Sequence, residues 1–135
     1  MTSATSPAPH FEAAGALLDA LAAHDFDALE DALDGAATMA CLLPRGLREM
    51  DGPAEITAAF RTWFGDVDRC EVIDASVGQI GDLLELRWRL RVGGGRFDDA
   101  VKVVEQHAYA TLGEGGRIDH LRLLCSGFWD EHAPA

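Results

Sequence analysis

Basic residues are scarce: 11 Lys and Arg stand against 23 Asp and Glu in 135 residues, a formal charge of −12. A field of that sign repels phosphate backbones and anionic lipid, so nucleic acid and membrane surfaces are excluded as partners. A small hydrophobic molecule suits it better. Cysteine is equally sparse, with Cys41, Cys70 and Cys125 odd in number and without CxxC spacing, which removes the basis for a disulfide framework or a structural zinc site. Free thiols are expected, and neither a metal nor a cofactor is. Only 5 Pro against 48% hydrophobic residues excludes a disordered chain. No run of about 18 apolar residues could span a bilayer, and MTSATSPAPH shows neither the basic region nor the apolar region of a leader. A cytoplasmic protein is expected.

What is present reads as helices first and strands after. Residues 1–9, rich in Ser, Pro and Ala, predict a flexible tail, and residues 10–132 a single domain. From His10 to Ala23 the apolar residues Phe11, Ala14, Leu17, Leu18 and Leu21 follow the spacing of one helix face. HDFDAL then starts a second helix, with Asp25 as N-cap, Phe26, Leu29 and Leu33 as its buried stripe, and Gly35 as its end. ATMACLL, residues 37–43, predicts a buried strand, and residues 47–50 a short partner. In DGPAEITAAFRTWF, Asp51 or Gly52 caps, Pro53 occupies the first turn and Glu55 suits the positive helix end. Ile56, Ala59, Phe60 and Trp63 or Phe64 face inward, and Gly65 ends the helix. CEVIDASVGQI, LLELRWRLRV, VKVVEQHAYATL and RIDHLRLLCSGF follow as strands joined by Gly-containing turns, the pattern of an antiparallel meander.

That order defines an α+β domain in which the helices cover one sheet face. The paired opening helices around HDFDAL, the DGPAEI helix start and the closing GRIDHLRLL strand together resemble the nuclear transport factor two-like superfamily. SnoaL-like polyketide cyclases and ketosteroid isomerase belong to it. The resemblance implies three helices from the N-terminal half packed on a strongly curved, mostly antiparallel sheet, a cystatin-like cone with an internal pocket. It also implies acid–base chemistry of the isomerase, cyclase, dehydratase or hydrolase kind. The Asp base and oxyanion hole of ketosteroid isomerase have no residue-by-residue counterpart here, because no spacing singles out Asp74, Asp99 or Asp119.

Strand alternation then decides which side chains face the pocket. Leu84, Leu86, Trp88, Leu90 and Val92 are predicted to point inward, leaving Glu85, Arg87, Arg89 and Arg91 on a solvated outer face or in dimer contacts. On the next strand the set Phe97, Asp99, Val101, Val103, Glu105, His107 and Tyr109 is the more aromatic and β-branched. It is therefore assigned to the interior, and Lys102, Val104, Gln106, Ala108 and Ala110 to the outer side. Glu105 and His107 would lie about 6.5–7 Å apart on one strand face, close enough to act on one ligand. A histidine with a pKa near about 6.5 exchanges protons at neutral pH, and an apolar wall raises a neighbouring glutamate toward the same range. His107 and Glu105 are thus the candidate catalytic pair. Trp88, Tyr109, Trp63 and Phe60 are candidate pocket walls, and Cys125 a candidate ligand contact or nucleophile. The same pair could instead hold a core together without turnover.

Two functions stay open. One is a cofactor-free acid–base enzyme acting on a small apolar substrate. The other is a non-catalytic ligand-binding or dimerisation module. The resemblance also implies a homodimer through the outer sheet face, with Val104 and Ala108 in the contact.

Overall fold

The computed structural model describes residues 10–131. The tail expected over residues 1–9 and the domain end expected at 132 lie outside the described residues. Helix α1 spans His10–Ala23 and α2 spans Phe26–Asp31. Asp25 caps α2 as its sequence suggests, its Oδ1 accepting a hydrogen bond from the Ala28 amide at 3.1 Å. Ala14, Leu17 and Leu21 are buried along α1, whereas Phe11 at its start is exposed.

The second helix is shorter than the sequence implies. Leu33 and Gly35 belong to strand β1, Leu33–Leu43, not to α2. Leu33 pairs with Ile118, and the Ile118 amide donates to the Ala32 carbonyl at 3.1 Å, so strand pairing takes the chain out of the helix at Ala32. Strand β2, Gly46–Asp51, hairpins onto β1. Helix α3 spans Pro53–Phe64 with Gly52 as its N-cap, and Glu55 reaches back to accept from the Asp51 amide at 3.0 Å. Its inward stripe is Ile56, Thr57, Phe60 and Phe64, while Trp63 is half-buried at its edge.

Strands β3 (Arg69–Ile80), β4 (Leu83–Gly93), β5 (Val101–Leu112) and β6 (Ile118–Cys125) form the predicted antiparallel meander. A two-residue β7, Trp129–Asp130, pairs with β5. The sheet order is β2-β1-β6-β5-β4-β3, and only the β1–β6 pairing is parallel. Helix α1 packs against β3 and β4, and α3 against β1 and β2. The result is the three-helix α+β cone with a mostly antiparallel sheet.

One pairing determines which side chains are inside. Leu84, Leu86, Trp88, Leu90 and Val92 are fully buried, as alternation on β4 predicts. Partners directly across an antiparallel pair share a sheet face. Leu86 pairs with Ala108, Trp88 with Gln106 and Leu90 with Val104, so the even residues of β5 go inward with them. Val104, Gln106, Ala108 and Ala110 are buried, and the odd row Val101, Val103, Glu105, His107, Tyr109 lies on the convex face. This reverses the assignment made from residue type. The concave face already holds Trp88, Phe60 and Phe64 within ring-contact distance, so β5 contributes small side chains there and keeps its bulky ones where there is room.

Candidate functional site

The reversal relocates the proposed catalytic pair. His107 Nε2 sits 2.7 Å from Glu85 Oε2, and Glu105 Oε1 accepts from Arg89 Nε and Nη2 at 2.9 and 2.7 Å. Each side chain has its own cross-strand partner on the outer face. Both line a shallow groove of about 350 Å³ with Leu124, Cys125 and Ser126. Tyr109, expected as a pocket wall, is 38% exposed beside His107, the rings 5.1 Å apart. The arginine row is outside as predicted: Arg87 pairs with Asp74 at 3.6 Å, and Arg91 with Glu71 at 3.0 Å and with Glu131.

Trp88 and Phe60 are inside, 6.4 Å apart, and Trp63 packs edge-on against Phe60 at 5.1 Å. The residue that alternation by type missed is Gln106. Its Oε1 accepts from Trp88 Nε1 at 2.9 Å, and its Nε2 donates to Cys125 Sγ at 3.3 Å. Cys125 Sγ also accepts from the Gly127 amide at 3.5 Å. Cys125 therefore points toward Gln106 inside the cone while His107 and Glu105 point out. The three do not converge as a nucleophilic or metal constellation, and no metal-ligand cluster occurs among the described residues.

Among the described residues the only fully buried polar side chains are Gln106 and Thr57. Thr57 Oγ1, on α3 one turn before Phe60, has no hydrogen-bond partner. A buried hydroxyl left unpaired costs about 1–3 kcal/mol, an expense that a bound polar atom would remove. The interior is thus apolar and aromatic, with the Gln106 amide, the Cys41 and Cys125 thiols and one unsatisfied hydroxyl, and without a buried carboxylate or imidazole among the described residues.

Burial pushes the Cys41 thiol up from the ordinary 9.0, helped by neighbouring Cys125 and opposed by Arg48, and burial does the same to Cys70. Raised thiols are poor nucleophiles at neutral pH. They also fix a sign. Above 9.0 the unfolded thiols ionise while the folded ones keep their protons, so the unfolded state binds fewer protons and stability falls with rising pH. The contribution is fully present below that value. Urea midpoints are expected to drop between about pH 8 and pH 10, with a shallower drop in Cys41→Ala. An equal drop in that variant would assign the slope elsewhere.

No protein-family model matches the chain, and no curated protein matches it in sequence. Solved structures do match. A candidate polyketide cyclase from Xanthomonas campestris pv. campestris is 18% identical, with a TM-score of 0.68 over 87% of this chain and 90% of that one. An LEH-like epoxide hydrolase of M. tuberculosis is also 18% identical, with a TM-score of 0.65 over 88% and 84%. A nuclear transport factor two-like protein of unknown function from Burkholderia xenovorans is 20% identical, with a TM-score of 0.62 over 95% and 88%. Likeness at this level of identity establishes the fold: the chain adopts the α+β cone that these structures share. No helix among the described residues is long and apolar enough to cross a membrane.

Proposed function

We propose that this chain is a small-molecule-binding module whose cone takes an uncharged, largely apolar ligand, and that two copies associate through the convex sheet face. The observation that carries the ligand reading is Thr57 Oγ1, a buried hydroxyl without a partner in a core otherwise made of Phe60, Trp88 and aliphatic side chains. Burying an unpaired charge in such a core is costly, which selects a neutral ligand with one hydrogen-bonding atom. Glu105 and His107 take no part, because both face away from the cone.

The reading is tested by thermal shift and calorimetry with naphthalene, 2-naphthol and 1-tetralone. The hydroxyl and ketone compounds are expected to bind more tightly than the hydrocarbon. Thr57→Val should erase that preference, worth about 1 kcal/mol or fivefold in affinity, while Glu105→Ala and His107→Ala bind as the parent does. Absence of any shift, or loss of binding in the two outer-face variants, would overturn it.

A cofactor-free enzyme is the second reading, favoured by the cyclase and hydrolase names of the similar structures. In that case Gln106, Thr57 and Cys125 are the polar groups inside that such chemistry would draw on. Product analysis of incubations with polyketide or epoxide substrates distinguishes it from binding alone.

A further inference from the structure

The sheet ends in two edges, β2 on one side and β3 on the other. A strand edge presents a row of unpaired N–H and C=O groups, which folded chains guard with charge, proline, brevity or a bulge. β2 is guarded. It is 6 residues long, Arg48, Glu49 and Asp51 are among them, and the Asp51 amide already donates to Glu55 Oε1 at 3.0 Å.

β3 has 12 residues, and among the described residues no strand pairs with its outer side. Its first half carries Arg69, Glu71 and Asp74 and is interrupted by a bulge between Val72 and Asp74. From Ala75 to Ile80 the sequence ASVGQI has no charge, no proline and no bulge. Ala75, Ser76 and Gly78 are small enough for a second backbone to come alongside. Ile80, which ends the run, is 82% exposed, the most of any large hydrophobic side chain among the described residues.

We infer that this unguarded half of β3 pairs antiparallel with the same segment of a second copy, joining two sheets edge to edge. The contact lies in the plane of the sheet and is separate from the association through its convex face. A second copy is the fitting occupant because the contact closes: β3 against β3 is isologous and uses up both open edges. β3 against β2 is head-to-tail, leaves an edge free at each end and meets the guarded strand. The register follows from the bulge and the charges. Directly opposed residues of an antiparallel pair share a sheet face, so one residue must stand opposite its own copy. Gly78 in that position sets Asp74 against the partner's Asp82, and like charges directly across a strand pair destabilise it. Ser76 in that position brings the bulge before Asp74 inside the ladder, opposite Gln79. Val77 is the centre of the segment from Asp74 to Ile80. Set against its own copy, it pairs Ser76 with Gly78 and Ala75 with Gln79, leaves the bulge outside, and lays Ile80 across from Asp74.

Sedimentation velocity of the full chain tests this in a Leu124→Glu background, which puts a charge at an exposed position of the convex face and silences association there. That protein is expected to remain a dimer through β3. Ser76→Lys with Gly78→Lys, and Ser76→Glu with Gly78→Glu, each set like charges against one another across the axis. Either pair should weaken dimerisation by about tenfold, with unchanged far-UV circular dichroism. An equimolar mixture of the two should restore the dimer, because every opposed pair is then opposite in sign. Should a double variant lose its circular dichroism, Ser76→Lys alone, at an exposed position, must weaken the dimer in its place. A monomeric Leu124→Glu protein, or charged variants that stay dimeric, overturns the edge pairing. Failure of the mixture to recover the dimer overturns the register centred on Val77. The parent compared with Leu124→Glu reads the convex-face association by itself, so the two contacts fail separately.

Discussion

Trp88→Ala is expected to lower unfolding free energy by about 3–5 kcal/mol, the range for truncating a fully buried large aromatic side chain. Two costs contribute. The side chain lies between Phe60 of α3 and the β4–β5 pairing, so its removal opens a cavity at the junction of helix and sheet. It also strands Gln106 Oε1, which accepts from the indole at 2.9 Å. A cycle separates the two. Gln106→Leu leaves the indole N–H unpaired and should cost about 1–3 kcal/mol. Trp88→Phe leaves the amide oxygen unpaired in its turn. The double variant removes both ends of the bond and should cost less than the sum by about 0.5–3 kcal/mol. Urea unfolding measures all four proteins, and strict additivity would show that the tryptophan and glutamine do not act as a unit.

Gln106 also marks how far the sequence can be read. The element order was legible because caps and turns are local: Asp25, Pro53 and Gly65 each stand where a helix begins or ends. The inward face of β4 was legible because five consecutive alternate positions are apolar against four charged ones. On β5 the two faces differ less, and counting aromatic and β-branched residues chose the wrong one. The decisive information is cross-strand. Once Leu86, Trp88 and Leu90 point inward, their partners Ala108, Gln106 and Val104 must follow, and Arg89 meets Glu105 outside. The charges gave the same signal: an arginine row needs carboxylates on the same face. A candidate pair defined on one strand therefore depended on its neighbour, and register between strands joined by a 3₁₀ turn at Gly95–Phe97 is not a local property. The overlong second helix has a similar origin, since Leu33 is drawn off by Ile118, a residue far along the chain.

That 3₁₀ turn is the site of the second large effect. Gly95→Ala is expected to destabilise more than any other glycine-to-alanine change in an open turn. Its φ is 55°, where a Cβ costs about 1–2 kcal/mol from left-handed backbone alone. In addition, that Cβ would press on the backbone carbonyl of Asp66, which cannot rotate away as a side chain could. The approach is close because Arg96 draws the β4–β5 corner onto the end of α3. Its guanidinium donates to the carbonyls of Trp63 and Thr62 at 2.8 and 3.4 Å, pairs with Asp66, and lies over the rings of Phe97 and Phe128. The last carbonyls of a helix have no intrahelical donor and carry its negative end, so a cation there satisfies both needs. Gly116→Ala isolates the backbone term, since Gly116 has φ 80° with open space around it. Gly35→Ala, with negative φ and no neighbour within 4 Å, serves as the blank. Urea midpoints should rank Gly35→Ala above Gly116→Ala above Gly95→Ala. Equal losses at 116 and 95 would mean that the corner yields to the added methyl, and that Arg96 does not hold it fast against the helix.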